Sequence, residues 1–201
     1  MIGSLLGQPA PAPAGEPGDG MSYKIIIINR WPLKSPGFTQ VLLDELKTVD
    51  FESLCWQYGL DPALIGPTLA QLSVEESIGA PVPFFLLRYH DKGHPPIVIS
   101  EWEIAGSPQY RIQEDEMFAN WPDCVLECIA TSRAVYSVTL EGEQLTDLGL
   151  LLAYEVARWI AHQGSGIVLG LDAAWYRLNE HQAFIPLRKN NGSTGSFCAI
   201  G

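Results

Sequence analysis

The stretch from Leu145 to Leu178 constrains this chain more than any other. Leu148, Leu151, Leu152, Val156, Trp159 and Ile160 recur at three- and four-residue spacing, which places them on one broad face of a helix. Glu155 and Arg158 fall off that face. Thr146 precedes the run and suits the cap position, where a side-chain oxygen accepts from the free amides of the first turn. His162 lies in the last turn, where the helix dipole favours a cation, and Gly164-Ser165-Gly166 stops the helix. Residues 167–171 and 175–178 then read as two strands, with Asp172 in the turn between them. An apolar helix face this broad has to be covered by a sheet or by other helices.

Earlier segments supply the sheet. Ile25 to Ile28 form an unbroken β-branched run, the pattern of a central strand covered on both faces. Val41, Leu42, Leu43 and Leu46 predict a helix over 38–47. A second follows, with Asp50 as its cap, Leu54, Cys55 and Tyr58 as its apolar stripe, and Gly59 in the left-handed position after its end. Asp61-Pro62 repeats a cap-then-proline start, and the helical spacing of Leu69, Leu72 and Val74 carries on to Gly79. Residues 83–89 and 97–104 read as strands joined through the His90-Asp91-Lys92-Gly93-His94 turn. On the second of these, Ser100, Trp102 and Ile104 alternate with Glu101 and Glu103, which predicts a charged, solvated face. A short strand is expected at 110–113, and two more at 124–130 and 134–140.

Runs of strands between helices argue for an α+β fold: a single domain with a mostly antiparallel or mixed sheet, a long C-terminal helix and a cover of short N-terminal helices. The domain is expected over residues 21–188. Residues 1–20, with Pro9, Pro11, Pro13 and Pro17 among Ala and Gly, read as a disordered leader. Met21 would then open the domain, and the intact mass of the natively expressed protein tests whether it is the true start. Residues 189–201 read as a flexible tail.

Charge excludes some partners. The chain carries 23 acids and 12 bases, a net charge of −11. Two of the acids, Glu16 and Asp19, fall in the leader, which leaves 21 acids against 12 bases, or −9, from Met21 onward. Such a domain repels phosphate backbones and anionic membranes and attracts a basic protein partner. The helices between Phe38 and Ile78 place Gln71, Glu75 and Glu76 where a DNA-reading helix needs bases, so no nucleic-acid partner is expected. No apolar run reaches the ~18–20 residues that span a bilayer. The four cysteines form no Cys-x-x-Cys pair, and a chain this apolar does not depend on disulfides, so a reducing cytoplasm is expected.

No stretch carries a specific catalytic, metal or nucleotide signature, and no cofactor is expected. His90 and His94 are spaced for metal ligation, but Gly93 and Pro95 exclude the helix that a zinc-protease motif needs; a solvated hairpin turn is the plainer reading. Glu101, Glu103, Glu114, Asp115 and Glu116 form an acid-rich region, read as a solvated face or as an acidic patch for a basic partner. Cys124 and Cys128 read as buried packing; nucleophilic use of Cys124 requires the fold to bring His162 beside it. Cys198-Ala199-Ile200-Gly201 has the outline of a prenylation box with an unusual last residue and without a polybasic run upstream. Gly164-Ser165-Gly166 follows a helix, whereas a phosphate loop follows a strand. The group Asp172, Trp175, Tyr176 and Arg177 has the composition of an interface hot spot, set against the plainer reading that Asp172 makes the turn and Trp175 packs in the core.

These residues give three functional expectations. The first is a non-catalytic cytoplasmic protein, immunity- or adaptor-like, that binds a basic protein through an acidic, aromatic-bearing surface including Asp172, Trp175, Tyr176, Arg177, Glu101 and Glu103. The second is a small hydrolase or metal-dependent enzyme using Asp172, His162 and Glu155, or the His90/His94 loop. The third is a structural subunit that self-associates, as a homodimer, through the Trp175 region.

Overall fold

The structure is a computed structural model and describes residues 22–33, 38–59, 61–77, 84–90, 94–102 and 121–188. The leader, the C-terminal tail with Cys198, the strand expected at 110–113, and Glu103, Glu114, Asp115 and Glu116 lie outside the described residues. The chain is α+β. Its elements run β1 (Ser22–Asn29), α1 (Phe38–Thr48), α2 (Phe51–Tyr58), a 3-10 turn (Pro62–Leu64), α3 (Ile65–Gln71), β2 (Ser73–Glu76), β3 (Phe84–Arg88), β4 (Ile97–Trp102), α4 (Asp123–Thr131), β5 (Ala134–Glu141), a second 3-10 turn (Gly142–Gln144), α5 (Asp147–Gly164), β6 (Ile167–Leu169), β7 (Trp175–Leu178) and β8 (Phe184–Pro186).

The eight strands among the described residues form one sheet in the order β2-β3-β4-β5-β1-β6-β7-β8, and every neighbouring pair is antiparallel. The isoleucine run of β1 lies at its centre, between β5 and β6. Ile25 and Ile27 face one apolar cluster and Ile26 and Ile28 the other, which is why the run does not alternate with polar residues. On the first face lie α1, α2, α3 and α5, with Phe38, Leu42, Phe51, Ile65, Leu152, Val156 and Ile160 against β1, β3, β4 and β5. On the second, α4 places Val125, Cys128 and Ile129 against Ile28, Val135, Ile167 and Trp175.

The local end signals act as their chemistry predicts. Asp50 accepts from the Ser53 amide at 3.1 Å, and Gly59 turns left-handed at φ 71°. Asp61 caps the first 3-10 turn ahead of Pro62. Thr146 Oγ1 accepts from the Gly149 amide at 3.1 Å at the start of α5. The 18-residue α5 is followed by three strands, so it does not close the chain. None of the described helices is long and apolar enough to cross a membrane.

Three expectations are corrected. Residues 123–131 form α4, not a strand. Val125, Cys128 and Ile129 are buried at helical spacing, and Asp123 stands in the first turn, where a carboxylate meets the positive end of the helix dipole. Residues 73–76 are not a continuation of α3. They pair with Phe85–Arg88 as an edge strand, tied by the Arg88–Glu75 ion pair at 3.6 Å. Third, Glu101 does not lie on a solvated face. It shares the helix-covered side with Ile97 and Ile99, opposite Tyr136.

Candidate functional site

At the far end of β1 a cleft of about 890 Å³ opens between α4, the last turn of α5 and the hairpin of β7 and β8. Its walls include Arg30, Cys124, Glu127, His162, Arg177 and Glu180, and its floor includes Ile167, Ile185 and Leu187. The wall is set by Asn29, which is fully buried at the end of β1. Its Nδ2 donates to the Ile160 carbonyl at 3.0 Å. A Cβ on Gly164 would meet Asn29 Nδ2 at 2.0 Å, and one on Gly166 would meet Asn29 Oδ1 at 2.0 Å and the Ile28 carbonyl at 2.7 Å. The two glycines therefore do more than stop the helix; they admit the side chain that fastens β1 to α5. The Trp31 amide adds a bond to the Gly164 carbonyl at 3.2 Å, and the Gly166 amide one to the Ala161 carbonyl at 2.8 Å.

Of the enzyme trio, only His162 reaches this cleft, where it is exposed on the wall. Asp172 lies in the turn before β7. Its Oδ1 accepts from the Ala174 amide at 3.2 Å, and its Oδ2 accepts a short hydrogen bond from Tyr176 Oη. Burial, followed by that bond and the Asp172 charge, holds the Tyr176 hydroxyl well above its usual range. Tyr154 Oη accepts from the Leu171 amide at 3.1 Å in the same turn and is raised by burial first. Glu155 is buried and paired with Arg158 at 2.8 Å; Arg158 Nη1 in turn donates to Gln182 Oε1 at 2.5 Å. Both side chains thus clamp α5 to the turn between β7 and β8. Asp172 and Glu155 are each engaged with partners of their own, Asp172 within its turn and Glu155 with Arg158.

The expected contact edge divides. Trp175 is 4% exposed and Tyr176 5%. The Trp175 ring stands edge-on to Trp121, centroids 5.0 Å apart, inside the second core cluster. Asp172 is exposed and Arg177 half-buried. Glu101 Oε1 accepts from Tyr136 Oη at 3.3 Å, and that hydroxyl accepts from the Leu33 amide at 2.8 Å. Burial raises the Glu101 carboxyl, with the Tyr136 bond opposing it. The His90 and His94 rings lie 5.1 Å apart, both exposed, and among the described residues no three His, Cys, Asp or Glu side chains gather as a metal site.

Cys124 and His162 do line the same cleft, as nucleophilic use of Cys124 would require. Three features escaped sequence reasoning. Arg30 joins the cleft because it continues β1 beyond Asn29. Trp31 is exposed, with the Arg133 guanidinium 4.9 Å from its ring. Trp56 is 69% exposed on α2, and Val41 is 54% exposed on α1. The helical spacing gave a signal for Trp56, since it falls outside the stripe of Leu54, Cys55 and Tyr58. Around it, residues 38–61 carry Asp44, Glu45, Asp50, Glu52 and Asp61 against one base, Lys47. No protein-family model, no curated protein and no solved structure matches this chain.

Proposed function

We propose that the protein is a non-catalytic binding protein that recognises a basic segment of another protein through the outer side of α1 and α2. The observation that carries this reading is Trp56, 69% exposed on α2, in a segment, residues 38–61, that holds five acids and one base. Tryptophan is enriched among the hot spots of protein interfaces, which makes an exposed one on an acidic segment the first candidate for an anchor. Its ring also attracts the ammonium or guanidinium of a basic partner, while the surrounding carboxylates raise the rate of encounter. An immunity- or adaptor-like role fits that charge. A reducing, cytoplasmic setting belongs to this reading, since the cysteines among the described residues form no disulfide.

The other readings have less support. A hydrolase built on Asp172, His162 and Glu155 needs side chains that converge, and only His162 lines the cleft. Metal chemistry at His90 and His94 lacks a third donor among the described residues. Self-association through Trp175 needs a ring that is free to make contacts, and this one is packed on Trp121.

The test is affinity capture with the full chain, followed by titration of the purified partner at about 0.05 and about 0.3 M salt. The expected partner is basic, binds at least about tenfold more weakly at the higher salt, and loses at least about tenfold in affinity on Trp56→Ala. A neutral or acidic partner, or one indifferent to Trp56→Ala, overturns the proposal.

A further inference from the structure

The cleft at the end of β1 differs in chemistry from the acidic helical surface. Arg177 stands in a cross-strand row between Ile167 of β6 and Ile185 of β8, so a cation is set into an apolar floor. Arg30 lines the same cleft, and its Nε is closed off from solvent with no hydrogen-bond partner. A guanidinium that has already given up part of its water gains more from an anion than an exposed one does. Two glutamates, Glu127 and Glu180, also line the cleft, but both are exposed, whereas Arg30 and Arg177 are half-buried. Solvent and salt screen the exposed carboxylates more than the enclosed arginines, so each arginine weighs more at the floor than each carboxylate does. The negative pole of α5 also points here, but its end carbonyls are occupied: Ile160 by Asn29, Ala161 by Gly166, and Gly164 by Trp31.

We propose that this cleft binds a small organic anion: a carboxylate or phosphate head held by Arg30 and Arg177, on an apolar body that lies against Ile167, Ile185 and Leu187. Its volume of about 890 Å³ is that of a small-molecule site. The site is separate from the α1–α2 surface and does not depend on the reading given to that surface.

Calorimetric titration of the full chain with octanoate, octyl phosphate, octylamine and inorganic phosphate tests it. Octanoate or octyl phosphate should bind saturably; the tighter of the two identifies the head group. Octylamine should not bind, and inorganic phosphate should bind at least about tenfold more weakly than octyl phosphate. Arg30→Gln and Arg177→Gln should each weaken the preferred ligand by at least about tenfold, and Ile185→Trp should block it by filling the floor. Octylamine binding as tightly as octanoate overturns the proposal on the unaltered chain, whatever the variants do. So does an absence of saturation by both octyl anions up to ~10 mM, or unchanged affinity in arginine variants that keep the parent melting temperature.

Discussion

The outer side of α1 and α2 and the cleft at the end of β1 are opposites in how they are built. The first is acidic in sequence, and its exposed side chains lie off the core. Its exposed Val41 and Trp56 are carried by helices whose other side, with Phe38, Leu42, Leu46 and Phe51, does the packing. The second is concave and tied into the sheet through Asn29 and its close contacts with Gly164 and Gly166, while Arg158 fastens α5 to the turn of the neighbouring hairpin. A surface of the first kind can change side chains at little cost to folding, whereas the second shares its residues with the fold. Binding and stability should therefore separate at α1–α2 and move together around the cleft.

The strongest challenge to that contrast is Gly166→Val. Its Cβ would strike Asn29 Oδ1 and the Ile28 carbonyl, and backbone cannot step aside as a flexible side chain would. Chemical denaturation should show a loss of about 3 kcal/mol or more; a loss under about 1 kcal/mol would mean that Asn29 does not fasten β1 to α5. Next comes Arg158→Ala, which leaves the Glu155 carboxylate buried without its partner and frees Gln182. We expect a loss of about 2–4 kcal/mol, and a smaller one for Glu155→Gln, which keeps hydrogen-bonding capacity at the site.

A third probe uses pH. Burial raises the Glu101 carboxyl above its unfolded value of 4.5, so the folded state holds the proton more tightly than the unfolded one. The stability this contributes is fully present below 4.5 and is lost as pH rises through the folded value. Comparing Glu101→Gln with the parent across that window should show the parent losing stability relative to the variant as pH rises. A constant difference would remove Glu101 from the account. The smallest expected effect is on folding in Trp56→Ala, under about 0.5 kcal/mol, although the same change should cost the partner most of its affinity. A melting temperature that fell as far as for Arg158→Ala would erase the distinction between the two regions.

Much of the local structure was legible because its causes are local. Asp50, Asp61, Thr146 and Gly59 act on atoms within a few residues of themselves, and the Ile25–Ile28 run announces a strand with two covered faces. The residues at 124–130 were ambiguous, because Cys-Val-Leu-Glu-Cys-Ile-Ala places apolar side chains at both the strand and the helix period. The segment 73–76 was decided by pairing with β3, a contact no window of sequence contains. Trp175 could equally have stood exposed or packed; Trp121, far away in the chain, settled it.

The sequence alone thus determined the fold class, the acidity, the helix ends and the central strand, because composition, capping and periodicity are properties of neighbouring residues. Only the tertiary structure decided which groups share a site. Asp172, Glu155 and His162 looked like a set and are divided between a turn, the buried side of α5 and a cleft wall. Arg30 and Arg177, which nothing in the sequence connects, meet around one apolar floor, because β1, β6 and β7 are neighbours only once the sheet has formed.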